Sequence, residues 1–471
     1  MRIVIGGAGE VGRGVAKALR SEGRDVVLID TDPVSIKEAQ ALDVLVVQGD
    51  ATLREDLMEA EVQNAEVYIA ATQRDEINMI SCALARDIVR QAGKKSELMT
   101  IARIHDASLI SDEKGEDLTR WSGVQHAVCS DLLVIDDLKV GLRGASMVEV
   151  LPLGEDAWIS VGEVLPSAEQ LIGSTLQESQ DNVDGLPRIF GIKEPGKKSY
   201  IPTSDSVIVA NSLVAFATIG KHTFRRILLA TGHEPPEYPE HPRIMIFGAT
   251  RLGRQIAKSY LEDGCRVTVI SENLEQANEL AGSDFANTDL LDSIHGNPLD
   301  PDLLQELDVD DHHIAISALS DDHANMAVAL HATELGVPIV GMVLDDGQMA
   351  QIARRIGHSF AVSRRRVSIN YILRHVHSKV EGNYHLLSSI PDIVGMSAIL
   401  SPGHKMIGKQ VKVLESKQLC RVAFIHRTSQ SSGTESMLRA SGDQIMKEGD
   451  RLMLFAKVED IEDVEKRLTG S

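Results

Sequence analysis

The sequence predicts an α/β protein built twice over: two Rossmann-like, doubly wound parallel-sheet domains, each followed by a small α+β lobe. Three observations predict it. Apolar runs of strand length alternate with amphipathic segments of helix length from the first residue; the whole pattern restarts near Arg243; and both copies open on a glycine loop with dinucleotide spacing.

The first strand is Ile3-Val4-Ile5, followed by strands at Val26–Ile29, Val44–Val47 and Val67–Ala70. Helical segments such as Val11–Ser21 and Asp75–Gln91 separate them. Short apolar strands joined by helices imply a parallel sheet covered on both faces. The second copy, RIMIFGATRLGRQIAKSYLEDGCRVTVISEN, aligns without a gap on RIVIGGAGEVGRGVAKALRSEGRDVVLIDTD, with Gly7 on Gly248 and Gly12 on Gly253, an offset of 241. Further on, ATQRDEINM at 71–79 is echoed by ALSDDHANM at 318–326, an offset of 247. The difference places a six-residue insertion in the second copy, expected near Ser293–Pro301. A repeat of this length is a domain duplication rather than a solenoid.

Each copy is followed by a stretch of different character. Turn-punctuated, strand-like runs occur at Leu171-Ile172-Gly173-Ser174 and Met406-Ile407-Gly408-Lys409, and each stretch ends in a hydrophobic strand, VAFATIG or RLMLFAKV. The expected domains are 1–145, 146–232, 243–385 and 386–471. Between the halves, the proline-dense EPPEYPEHP (234–242) reads as a stiff, extended linker.

Composition narrows the function. The cysteines Cys82, Cys129, Cys265 and Cys420 form no C-x-x-C pair, which suits a reducing compartment and opposes a disulfide framework or a cysteine zinc site. Met1 leads straight into an apolar strand, so no signal peptide is expected. The longest uncharged stretch, SVIVANSLVAFATIG, is shorter than the ~20 apolar residues of a membrane span. A soluble, cytoplasmic protein is expected. A formal net charge of −21 and 3% aromatic residues oppose nucleic-acid binding. The basic run Ser363-Arg364-Arg365-Arg366 offers a phosphate or lipid contact, but a solvated helix start is the preferred reading. His312, His313, His323 and His331 invite a metal, yet no acid or cysteine completes a ligand spacing, so they read as solvated or capping residues.

The opening Gly7-Ala8-Gly9-Glu10-Val11-Gly12 follows a strand and starts a helix, as a dinucleotide loop requires. Gly7 permits the tight turn, Gly9 admits a pyrophosphate to the backbone, and Gly12 lets the helix pack on the strand. Amides near Glu10 and Val11 face the phosphates at the positive helix end. Asp30 ends the second strand, placed to hold the ribose hydroxyls and to repel a 2′-phosphate, so NAD(H), ATP or ADP is favoured over NADP(H). Asp32, before Pro33, reads as a helix cap. Gly49-Asp50-Ala51 ends strand three beside an adenine edge, Thr72-Gln73 ends strand four at the crevice, and Arg103 ends strand five within reach of the phosphates. Thr72 as a cap and Arg103 as the partner of a surface acid are the structural alternatives.

GAGEVG, LIDTD, VVQGDAT, AATQRDEINM and IARI together resemble the RCK/KTN domain that regulates potassium conductance. The tandem organisation, nearly end to end, resembles the cytosolic nucleotide-binding subunits of Trk-type potassium uptake systems. The resemblance implies NAD(H) or ATP/ADP binding at Gly7–Gly12, Asp30, Asp50, Ala51, Thr72, Gln73 and Arg103. It further implies a homo-tetrameric ring and a TrkH-like membrane pore subunit as partner.

In the second copy Thr250 replaces Gly9, Ser271 replaces Asp30, Asn297 replaces Asp50 and Leu319 replaces Thr72. That half is expected to bind nucleotide weakly or not at all. Residues 150–220 contain no histidine or cysteine, and no nucleophile motif or carboxylate pair stands out. No catalytic residue is assigned, and a regulatory module is preferred to an NAD-dependent oxidoreductase.

Overall fold

The computed structural model describes the chain apart from residues 94–97, 111–118, 145, 154–156, 221–222, 236, 238, 287–288, 357–358, 378–383, 388, 429–434 and 470–471. Six parallel strands form the first sheet: Arg2–Gly6, Asp25–Asp30, Leu45–Gln48, Val67–Ala70, Met99–Ile104 and His126–Cys129. Their spatial order, 3-2-1-4-5-6, is that of a doubly wound dinucleotide fold. Ile244–Phe247, Val267–Ser271, Leu291–His295, Ile314–Ser317, Ile339–Leu344 and Ser359–Ser363 repeat the order in the second half. The fold class expected from the sequence is therefore the one observed.

The insertion is not where the sequence placed it. Asp30 pairs with Gln48 across strands two and three, and Ser271 pairs with His295 in the second half. The offset is thus already 247 at the third strand, and the extra residues lie between Ala281 and Leu291. That edge strand reads Leu-Asp-Ser-Ile-His, too polar to mark its own register in the sequence.

Antiparallel sheets follow each parallel one. The first joins Glu149–Pro152, Ala157–Glu163, Leu213–Ile219 and Ile189–Lys193 in that order. The second joins Tyr384–Leu386, Ile393–Ile399, Arg451–Lys457, Cys420–Thr428 and Glu435–Arg439, so its first strand straddles position 385. VAFATIG and RLMLFAKV form central strands. The Ile-Gly elements are turns instead, with φ of +79° at Gly173 and +80° at Gly408, where glycine relieves the strain of a left-handed backbone. The two small sheets share one core, in which Phe190 stacks on Phe455 with centroids 4.8 Å apart. Positions 236 and 238 of the linker lie outside the described residues, and the rest of it forms neither helix nor strand.

The helices that follow the sixth strands cross between the halves. Val134, Ile135, Leu138 and Leu142 of Ser130–Arg143 are buried with Ile256, Ile314, Ile339 and Phe360 of the second half. Reciprocally, Ile372, Leu373 and Val376, from the helix Arg364–Val376, are buried with Ile3, Ile5, Val15 and Leu19 of the first. Each fully buried leucine or isoleucine contributes roughly 1.5–3 kcal/mol. Separating the halves would therefore open both cores.

Just past the second of these helices, a buried charged cluster ties the C-terminal helix Ile461–Thr469 to the first sheet domain. His377 stacks on Tyr384, its Nε2 lies 3.2 Å from Glu22, and its Nδ1 contacts Glu465, which also meets Arg24. Tyr384 Oη donates to Glu22 at 2.6 Å. Burial opposes the imidazolium, but the carboxylates of Glu22 and Glu465 outweigh it and hold the His377 pKa up at about 9. A histidine raised on folding stabilises fully below its unfolded value, and the contribution is lost as pH rises through the folded one. The stability difference between the wild-type chain and His377→Gln should therefore be largest below about pH 6.5. It should fade as pH rises through about 9. Urea unfolding at a series of pH values measures this, and a pH-independent difference would contradict it.

Candidate functional site

Outside the carboxyl ends of the first sheet, where strands one and four part, a cleft of about 550 Å³ opens. Of the residues singled out from sequence, Gly7, Gly9, Glu10, Val11, Asp30, Asp50, Ala51, Thr72, Gln73 and Arg103 line it. Ala8 and Gly12 do not; both are buried beneath the loop.

The duplicated loop separates glycines the fold needs from a glycine it does not. Gly7 has φ +104°, and a Cβ on Gly12 would lie 1.9 Å from the Gly7 carbonyl oxygen. Their counterparts behave alike: Gly248 has φ +110°, and a Cβ on Gly253 would lie 1.9 Å from Gly248 O. Gly9 has an ordinary φ of −62°, and a Cβ there would meet nothing within 4 Å. Thr250, in its place, accepts from Gly253 N at 3.1 Å and donates to Ala318 O at 2.7 Å, capping its helix with its own side chain. The first helix, Glu10–Ser21, has no side-chain cap, which leaves its N-terminal amides facing the cleft.

Around this loop the remaining residues are held by defined bonds. The Asp30 carboxylate accepts from Ala8 N at 2.6 Å and from Asp32 N at 2.8 Å, so it anchors the loop as well as lining the cleft. Asp32 caps the following helix, accepting from Ser35 N at 3.0 Å, and this hydrogen bond helps hold its pKa low. Asp50 accepts from the backbone and hydroxyl of Thr52 at 2.8 and 2.7 Å. Thr72 donates through both N and Oγ1 to Asn78, whose amide donates in turn to Arg103 O at 2.8 Å. Asn325 repeats this clamp from Leu319 to Val343 O. The Asp-x-x-Asn element is thus a fastener between strand ends, kept in both halves for the fold.

Charge distinguishes the cleft. Arg103 is 8% exposed, its Nε donates to Ser130 Oγ at 3.5 Å, and no carboxylate forms an ion pair with it among the described residues, Asp345 and Asp131 acting on it only from farther away. Burial lowers its pKa, a penalty that an anion in the cleft would relieve. Arg13 and Arg74 also line the cleft, paired with Glu38 and Glu76. Arg365, from the second half, completes the lining and contacts Glu10. The basic run is therefore not a solvated helix start. Arg364 meets Asp345 of its own half, whereas Arg366 meets Glu149 of the other, both at 3.4 Å, because the exchanged helix carries Arg365 and Arg366 against the first half. Arg13 and Arg74 were missed because nothing in their local pattern marks a cleft wall.

In the second half Ser271 stands at the Asp30 position, Val343 at that of Arg103, Leu319 at that of Thr72 and Asn297 at that of Asp50. Of the histidines, His323 is exposed, while His312 is buried with Nε2 3.2 Å from Thr268 Oγ1. No group of three or more His, Cys, Asp or Glu side chains placed to hold a metal occurs among the described residues.

A family model for the TrkA-N domain matches residues 3–129 and 244–364, together more than half of the chain. The chain is similar to the Trk system potassium uptake protein TrkA of Azorhizobium caulinodans, 27% identical over 99% of this chain and 98% of that one. It is likewise similar to the TrkA homolog 1 of Methanosarcina mazei, 25% identical over 99% of both. Among solved structures, the GsuK RCK domain matches 100% of this chain and 95% of its own, with TM-score 0.52 and 19% identity. The GsuK channel bound to NAD matches 100% of this chain and 79% of its own, with TM-score 0.53 and 19% identity.

The loop geometry makes a stability prediction. Gly12→Ala should cost about 1–3 kcal/mol by overpacking, whereas Gly9→Thr should stay within about 0.5 kcal/mol of wild type. Denaturant unfolding of the full chain compares the two; equal losses would contradict the division of roles.

Proposed function

The chain belongs to the TrkA-N domain family, and from that premise we propose that it is the nucleotide-sensing regulatory subunit of a Trk-type potassium uptake system, not an enzyme. The first half binds NAD(H), ATP or ADP, and occupancy biases the arrangement of the lobes. The observation that carries this reading is the selective divergence of the second loop. The glycines that the fold requires are retained, while Gly9, Asp30 and the buried Arg103, which face the cleft, are replaced.

Each residue has a physical part in that reading. The uncapped amides at Glu10 and Val11 and the Arg103 guanidinium receive the phosphates. Asp30 accepts from the ribose hydroxyls and disfavours a 2′-phosphate, which selects NAD(H) over NADP(H). Asp50, Ala51, Thr72 and Gln73 border the base. The lining holds no His, Cys, Tyr or Lys among the described residues, which supports sensing rather than proton transfer to a second substrate. The names of the full-length relatives support the potassium context, and the NAD in the structurally similar GsuK channel supports a nucleotide in the cleft.

No described helix is long and apolar enough to cross a membrane, and the names of the relatives place them in a Trk potassium uptake system. The proposed partner is a TrkH-like pore subunit at the inner face of the membrane, engaged by a ring of four chains. A ligand shifts such an assembly only by its difference in affinity between states.

Calorimetric titration of the full chain should show NADH or ADP binding that Arg103→Gln weakens about tenfold or more, the loss of one charge-assisted contact. NADH absorbance should remain constant on prolonged incubation. In cells, Asp30→Ala should abolish the nucleotide dependence of potassium uptake; steady NADH turnover, or an unaltered response, would overturn the proposal.

A further inference from the structure

Glu10 stands in the first turn of an uncapped helix, where an anion is favoured, and its carboxylate meets the Arg365 guanidinium from the other half. The Glu10 side chain is 52% exposed and that of Arg365 30%, so this is a half-open ion pair of the weak kind. It closes one side of the same cleft that Arg103 lines.

The equivalent contact in the second half has its charges reversed. Arg251 occupies the Glu10 position in the loop, and Asp131 occupies the Arg365 position on the incoming helix. Arg251 donates to Asp131 Oδ2 through Nε at 3.0 Å and Nη2 at 2.7 Å. Asp131 is 1% exposed, and its Oδ1 has no hydrogen-bond partner. A phosphate arriving there would confront a buried carboxylate. In the first half the incoming helix brings a cation instead.

We propose that Arg365 is the second half's contact with the ligand, and that the phosphates of a nucleotide take it from Glu10. The inference rests on the nucleotide reading of the cleft and deepens it. Glu10 holds the phosphate's place while the cleft is empty of ligand. The guanidinium fork fits phosphate oxygens in two-pronged contacts, and such charge-assisted bonds exceed a half-solvated ion pair. Occupancy thus exchanges an ion pair between the halves for a contact running through the ligand. The Arg251–Asp131 bridge has no such competitor, so the molecule has one fixed seam and one that answers to ligand. Arg365 sits at the start of the exchanged helix, which carries that answer into the first core.

The test titrates ADP and adenosine into the full-length wild type, Arg365→Gln and Glu10→Gln, with thermal unfolding of each apo chain to verify the fold. Arg365→Gln should weaken ADP about tenfold or more while leaving adenosine within about twofold. Glu10→Gln should tighten ADP several-fold, because Arg365 no longer has to leave a carboxylate. ADP affinity unchanged in Arg365→Gln, or equal losses for ADP and adenosine, would overturn the proposal. So would unchanged ADP affinity in Glu10→Gln. If the wild type binds none of ADP, ATP and NADH, the nucleotide reading itself falls; ADP binding that ignores both variants removes only the exchange.

Discussion

Ser130–Arg143 and Arg364–Val376 each bury an apolar face in the half of the chain to which they do not belong. Neither half has a complete core without the helix of the other, so the halves are coupled by hydrophobic burial before any polar contact is considered. The exchange also determines what surrounds the cleft. It brings Arg365 to the Glu10 side chain, Asp131 to Arg251 and Arg366 to Glu149. The first cleft is thereby within one side chain, Arg365, of the second half.

Duplication provides an internal control. Both halves keep the left-handed glycine at the turn, the glycine at the helix–strand contact and the asparagine clamp between strands four and five. Those features hold a doubly wound sheet together whether or not a ligand visits. The differences concentrate where a nucleotide would lie: an open N-terminus against one capped by Thr250, Asp30 against Ser271, Arg103 against Val343. One copy leaves its helix amides uncapped beside a buried arginine, and the other closes the same helix end with the Thr250 side chain.

Much of this was legible in the sequence because strand, glycine loop, helix and terminal carboxylate recur at fixed local spacing. Ten of the twelve residues chosen from that spacing line the cleft. Ala8 and Gly12 are buried beneath the loop, where Gly12 does the helix–strand packing that its place in the glycine spacing implies. The arginine run at 364–366 was misread because its meaning is non-local. Only the crossing of a helix into the other half brings Arg365 from a basic helix start into the wall of the first cleft. The insertion was misplaced for a milder reason, since a polar edge strand carries no periodicity to fix its register.

The stoichiometry of nucleotide binding to the intact chain tests the asymmetry of the two sites most directly. Calorimetry or equilibrium dialysis with NADH and with ADP, at concentrations well above the dissociation constant, counts sites without separating halves that share their cores. A value near one nucleotide per chain, abolished by Asp30→Ala, is the predicted result. Near two per chain, or one that survives in Asp30→Ala, would contradict a working first site paired with a closed second one.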